Sequence, residues 1–140
     1  MRYAMIRDYT LSVEHGTLDL ATLQELVGGN IEPVFTVASV ERAGFRVTGY
    51  ANEEGMYNGS EINALWVRGE HAQPVFGPVV VTGLGPRGET CELTARELAQ
   101  VALVAPAPGS VFAMENPATG DLHVFCVPLL YVQTPETRHA

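Results

Sequence analysis

The chain contains no lysine. Its eight basic residues are all arginine, set against sixteen acidic ones, and the formal net charge is −8. Such a chain repels phosphate and anionic lipid, which argues against direct nucleic-acid binding and against a membrane surface as partner. Cysteine is also scarce. Cys91 and Cys126 are too few to form a disulfide framework in 140 residues. No apolar run approaches the roughly 18 residues of a membrane span, and the amino-terminal MRYAMIRDYTLSVE lacks the apolar core of a signal peptide. A soluble, cytoplasmic protein is therefore expected.

Charged residues make up only 17% of the chain and hydrophobic ones 46%, which describes a globular rather than a disordered sequence. A length of 140 residues fits a single domain that needs no metal or disulfide staple. Arginine replaces lysine, and alanine, glycine and proline are abundant. All four have GC-rich codons, which points to a high-GC genome.

Several catalytic signatures are missing. There is no G-x-S-x-G, no H-x-H and no H-E-x-x-H. His123 and Cys126 lie three apart on an expected strand, where their side chains would face opposite ways, so no single-strand metal site is expected. No catalytic residue, metal or cofactor is assigned.

What is present reads as β-α-β-β-α-β-α-β-β. Residues 2–14 alternate as one half-buried strand, and His15-Gly16 turns the chain. Thr17 can cap a helix through Leu20, Leu23, Leu26 and Val27, with Asp19 in its first turn. NIEPVFTVASV and FRVTGYA read as a hairpin in which Pro33 forces an edge or a bulge. Asn58-Gly59 is a tight-turn signal, and Ser60 can cap a short helix over Ile62 to Trp66. GPVVVTG is a short buried strand. LTARELAQVALVA reads as a second helix, with Thr94 and Glu97 as its capping box. SVFAMENPATGDLHVFCVPLLYVQ reads as a final hairpin, turned at NPATGD. Its last strand is apolar on both parities, which requires a central position or cover from a partner. The fold class is α+β: one domain over 1–140, with a mostly antiparallel or mixed sheet of about five to six strands and two main helices on one face.

Two glycine motifs invite a ligand reading. In LQELVGGNIEP the glycines follow a helix, where the exposed carbonyls and the dipole have the wrong sign for phosphate. Gly28-Gly29 is therefore read as a helix cap. GLGPRG, residues 83–88, has the dinucleotide spacing but no helix opening at its third glycine and a proline at position 108, so it reads as a plain loop.

The carboxylates Glu32, Glu53 and Glu54 could converge to bind a metal, act as acid and base, or meet a cationic partner. Leu23-Gln24, Val27-Gly28-Gly29, Ile31-Glu32, Asn52 to Gly55, Asn63 and Gly77 to Val81 also carry a resemblance over about residues 17–100. The chain resembles an uncharacterised domain family, found mostly in bacteriophage and plasmid-type genomes, with the pattern L-Q-x-x-V-G-G-x-I-E, N-E-E-G, a downstream asparagine and G-P-V-V-V. The C-terminal hairpin, about 110–133, lies outside it. The resemblance implies a small accessory protein of a phage or mobile element. It makes Glu32, Asn52, Glu53, Glu54 and Asn63 the candidate binding residues.

The leading expectation is a non-enzymatic protein that binds a host protein or a small signal molecule in counter-defence, with a homodimer suggested by the last strand. One alternative is an acidic DNA mimic that blocks a DNA-binding enzyme. Another is a metal-dependent enzyme using Glu32, Glu53 and Glu54. A sponge for phosphorylated signals would need arginines such as Arg42, Arg46, Arg68 and Arg87 gathered in one place.

Overall fold

The computed structural model describes residues 1–39, 44–55, 60–116 and 118–134. The expected turn at Asn58-Gly59 and Arg42 lie outside them. The main sheet takes β1 (Arg2–Arg7), β2 (Thr10–His15), β3 (Ile31–Ala38), β4 (Arg46–Asn52), β7 (Val79–Leu84) and the short β8 (Thr90–Cys91) in the order β2-β1-β7-β4-β3, with β8 paired to β7. A second sheet takes β5 (Ile62–Arg68), β6 (His71–Phe76), β9 (Val101–Val104) and β12 (Leu129–Val132) in the order β6-β5-β12-β9. A separate two-stranded ribbon pairs β10 (Phe112–Glu115) with β11 (Leu122–Phe125). The expected mixed, mostly antiparallel sheet is present. Among the described residues, every pairing is antiparallel except that of β12 with β5.

The central strands are apolar on both parities because both faces of the main sheet are covered. Ala4, Ile6, Val47, Val79 and Val81 face the second sheet, where Ala64, Val75 and Leu130 complete the core. Tyr3, Met5 and Val80 face the other way, onto Leu18, Leu23 and Val27. Leu23 and Val27 belong to α1 (Leu20–Val27), whose N-cap is Asp19 rather than Thr17: the Asp19 carboxylate accepts the Thr22 N–H at 2.8 Å. Pro33 sits on the edge strand β3, and the register slips between Pro33 and Phe35, so the proline costs no ladder bond.

Further expectations are corrected. Residues 2–14 are not one strand but the hairpin β1–β2, closed by Asp8 (φ 53°) and Tyr9 (φ 64°). A two-residue hairpin turn needs positive φ at both central positions, usually supplied by Asn-Gly; Asp-Tyr hides it.

Ile62 to Trp66 is the strand β5, not a helix. A bulge at Asn63 switches the parity, so Ile62 and Leu65 join one cluster while Ala64 and Trp66 turn to the central core. That switch produces an i, i+3 apolar spacing, which imitates a helix.

The second helix is only α2 (Ala95–Leu98), after which Val101–Val104 becomes β9. Its capping box is present: Thr94 Oγ1 accepts the Glu97 N–H at 3.1 Å and Glu97 Oε1 accepts the Thr94 N–H at 3.0 Å. The buried Glu97 also accepts the Arg46 N–H at 3.0 Å, which ties the turn to β4. The two helices do not share a face. Leu98 packs beside the central core, whereas α1 covers the opposite side of the main sheet.

The final apolar segment divides at Cys126-Val127-Pro128 into β11 and β12. β12 is central, between β5 and β9, so its two-sided apolar pattern is satisfied within the chain.

Candidate functional site

The glycine pair closes α1. Gly28 takes φ 79°, and both glycine N–H groups donate to Gln24 O at 2.9 Å. Gly29 is needed for space, because a Cβ there would stand 2.7 Å from Asn52 Nδ2. Asn52 Nδ2 donates to Val27 O at 3.4 Å, and Asn52 Oδ1 accepts the Glu54 N–H at 2.8 Å. Beside it, Gln24 donates to Asn30 Oδ1 at 3.2 Å, and Asn30 Nδ2 donates to Glu53 Oε1 at 3.1 Å. The polar motif residues therefore converge, as a latch between the end of α1 and the β3–β4 hairpin.

Glu32, Asn52 and Glu53 line one recess of about 320 Å³, together with Gln73, Pro74 and Phe76. Glu54 contributes its backbone N–H to the latch. Among the described residues, no group of three or more His, Cys, Asp or Glu is placed to hold a metal ion.

Asn63 is elsewhere. It is 6% exposed, and its amide is fully engaged. Oδ1 accepts the Tyr9 N–H at 3.0 Å, while Nδ2 donates to Ile6 O at 2.8 Å and to Gly77 O at 3.1 Å. The β5 bulge thus points its side chain into the junction of β1, the β1–β2 turn and the β6–β7 connection, and holds all three.

On that side lies a recess of about 570 Å³, between β5 and the β10–β11 ribbon. Ile62, Phe76, Met114, Phe125 and Val127 give it apolar walls; Glu61 and His123 are among its polar groups. Phe112 and Phe125 pack at 5.9 Å between ring centroids, and His123 lies at 5.7 Å from Phe125. The other face of the ribbon turns outward, with Val111 at 65%, Leu122 at 67% and Val124 at 60% exposure. Sequence reasoning assigned none of these residues. The available signal was the ribbon's apolar character on both parities, Phe112 and Met114 alternating with Val111 and Ala113.

The groups with displaced titration have structural explanations. Hydrogen bonds from the Thr22 side chain and backbone hold the Asp19 carboxyl below its ordinary value. The Arg2 N–H holds Glu92 down in the same way, donating to Oε2 at 2.8 Å. Burial pushes the Cys91 thiol up, aided by the charges of Glu97 and Glu89.

Two of the arginines donate to carbonyls, Arg2 to Leu93 O at 3.3 Å and Arg46 to Gly85 O at 3.2 Å. Arg68 lines a different recess, beside Trp66 and Tyr131. GLGPRG ends β7 with Gly83-Leu84 and then forms the loop to β8, where Gly85 N–H donates to Glu89 O at 2.7 Å.

The family described as Domain of unknown function (DUF3846) matches residues 1–103, and the chain belongs to it. No curated protein and no solved structure matches the chain. The large cleft crosses the end of the matched region: Tyr9, Glu61, Ile62 and Phe76 come from the family portion, and Met114, His123, Phe125 and Val127 from beyond it.

Proposed function

We propose that this member of a family without an assigned activity is a non-enzymatic accessory protein of a phage or mobile element, and that it binds a host protein, in counter-defence. The observation that carries the reading is the cleft of about 570 Å³ between the family core and the β10–β11 ribbon. Its apolar walls with a few polar groups at intervals have the composition of a recognition surface. The outward Val111, Leu122 and Val124 extend apolar surface beyond the cleft, as a protein partner would use and a small ligand would not. A phosphorylated small molecule is less well served. No arginine lines the cleft itself, Arg7 lines the adjoining recess together with Asp8 and Glu61, and the Arg46 and Arg68 side chains are directed to separate places.

The phage or mobile-element origin rests on the resemblance of the LQELVGGNIE and NEEG segments. The candidates of the latch, Asn52, Glu53 and Glu54, then serve the fold that presents the cleft.

The test is photo-crosslinking in a host lysate. A photoreactive residue replaces Met114 in the cleft or, as a control, the exposed Glu25 on α1. A discrete host protein crosslinked from position 114, absent from position 25 and displaced by excess unmodified chain, is expected. Identical products from both positions, or a bound species of a few hundred daltons in native mass spectrometry with no protein crosslink, would sink the reading.

A further inference from the structure

We infer that the cleft takes an extended peptide segment bearing an arginine or lysine among apolar side chains, and that Tyr9 is the aromatic contact for that cation. The inference rests on the protein-binding reading of the same cleft.

The large cleft does not end at Glu61. A second recess of about 260 Å³, lined by Arg7, Asp8, Asn63 and Pro78, shares Tyr9, Ser60, Glu61 and Ile62 with it. Together they form a trough that runs from the β1–β2 turn to Cys126.

The charge of the trough is negative. Asp8 and Glu61 line the smaller recess with a single arginine, Arg7, and the larger recess carries Glu61 and His123 with no arginine. The chain has no lysine to alter that balance, and its net charge is −8. An apolar floor under a negative wall complements a cation on an apolar body and disfavours an acidic one.

Tyr9 stands where the two recesses meet. Its residue is 50% exposed, although tyrosine at positive φ is unfavourable and glycine or asparagine would suit the turn better. The buried Asn63 fixes that turn through the Tyr9 N–H. An exposed aromatic side chain at the junction of an acidic apolar trough is suited to receive a guanidinium or ammonium group on its ring.

The test uses full-length chain and two fluorescein-labelled octapeptides, one alternating leucine with arginine and one alternating leucine with glutamate, read by anisotropy. The arginine peptide is expected to bind about tenfold or more tightly than the glutamate peptide. Tyr9→Gly is expected to raise the melting temperature and yet weaken arginine-peptide binding about fivefold. Glu61→Gln is expected to weaken it about threefold and to reduce its salt dependence. Glu25→Gln, on the far helix, leaves it unchanged and so separates the trough from general acidity.

Should Tyr9→Gly lower the melting temperature, Tyr9→Asn replaces it, since asparagine also tolerates the turn. Equal binding of both peptides, or wild-type affinity in the Tyr9 variants, overturns the inference. A host-protein crosslink from position 114 with no preference between the peptides overturns this inference alone. Peptide discrimination without any crosslink overturns the host-protein reading and leaves the cationic site standing.

Discussion

Gly29 and the side chain of Asn52 occupy adjoining space: a Cβ on the glycine would lie 2.7 Å from the amide nitrogen that reaches Val27 O at the end of α1. Twenty-three residues apart in sequence, they meet because the β3–β4 hairpin returns Asn52 beside Ile31. The glycine pair thus does two different things. Gly28 supplies the left-handed cap, and Gly29 makes room. Gly29→Ala should displace the Asn52 amide and cost about 1–2 kcal/mol, the scale of one hydrogen bond left imperfect. Urea denaturation measures it. The double variant Gly29→Ala/Asn52→Ala should lose less than the sum of the single variants, because the second change removes the atom the first collides with. Strict additivity would show that the two residues do not interact.

Asn63 is the stronger constraint. Its three hydrogen bonds, to Tyr9, Ile6 and Gly77, are made from a site only 6% exposed. Asn63→Ala leaves one N–H and two carbonyls without these partners and should cost about 2–4 kcal/mol. Asn63→Asp should be no better, because an ionised carboxylate can accept from Tyr9 but cannot donate to the two carbonyls. Thermal unfolding of both variants tests this; an unchanged melting temperature in either would refute the clamp.

The same residue shows where sequence was readable and where it was not. Helix α1, the β3–β4 hairpin with its proline irregularity, the NPATGD turn and the Thr94/Glu97 box follow from local chemistry that glycine, proline, asparagine and threonine announce. The β5 bulge does not announce itself. It arises because Asn63 finds three backbone partners in distant segments, and it makes a strand look helical. The Asp8-Tyr9 turn is likewise set by tertiary contacts rather than by turn residues. Of the five candidate site residues, Glu32, Asn52 and Glu53 do share one recess, and Glu54 lends its N–H beside them. Asn63 lines another, and the cleft beside it needed the ribbon beyond residue 103, whose place no local pattern specifies.

Acid should weaken the fold through two exposed carboxylates. Asp19 caps α1 and Glu92 accepts the Arg2 N–H, and both titrate below their ordinary values of 3.8 and 4.5. A depressed folded-state value means the unfolded chain takes up protons first. Their contribution is thus present above about pH 4.5 and fades as pH falls through the lowered values. Asp19→Asn/Glu92→Gln keeps an acceptor at each place but removes the titration. Its urea midpoint should fall less than that of the unaltered chain between about pH 7 and pH 3. Parallel curves would show that other groups govern the acid limb.

The two thiols should differ in reactivity. Cys126 is exposed beside the cleft, whereas Cys91 is half-buried and its thiol is pushed above the ordinary 9.0, first by burial and then by Glu97 and Glu89. The thiolate is the nucleophile, so Cys91 is deficient in the reactive form as well as in access. Iodoacetamide at about pH 8 should modify Cys126 several-fold faster than Cys91, read by peptide mass spectrometry over time. The stability linkage has the opposite sign to that of the carboxylates. Because the folded chain holds the Cys91 proton more tightly, the contribution is complete below about pH 9 and is lost as pH rises through the raised value. Cys91→Ser should therefore flatten the alkaline limb of stability. Faster modification of Cys91 than of Cys126 would contradict the placement of both.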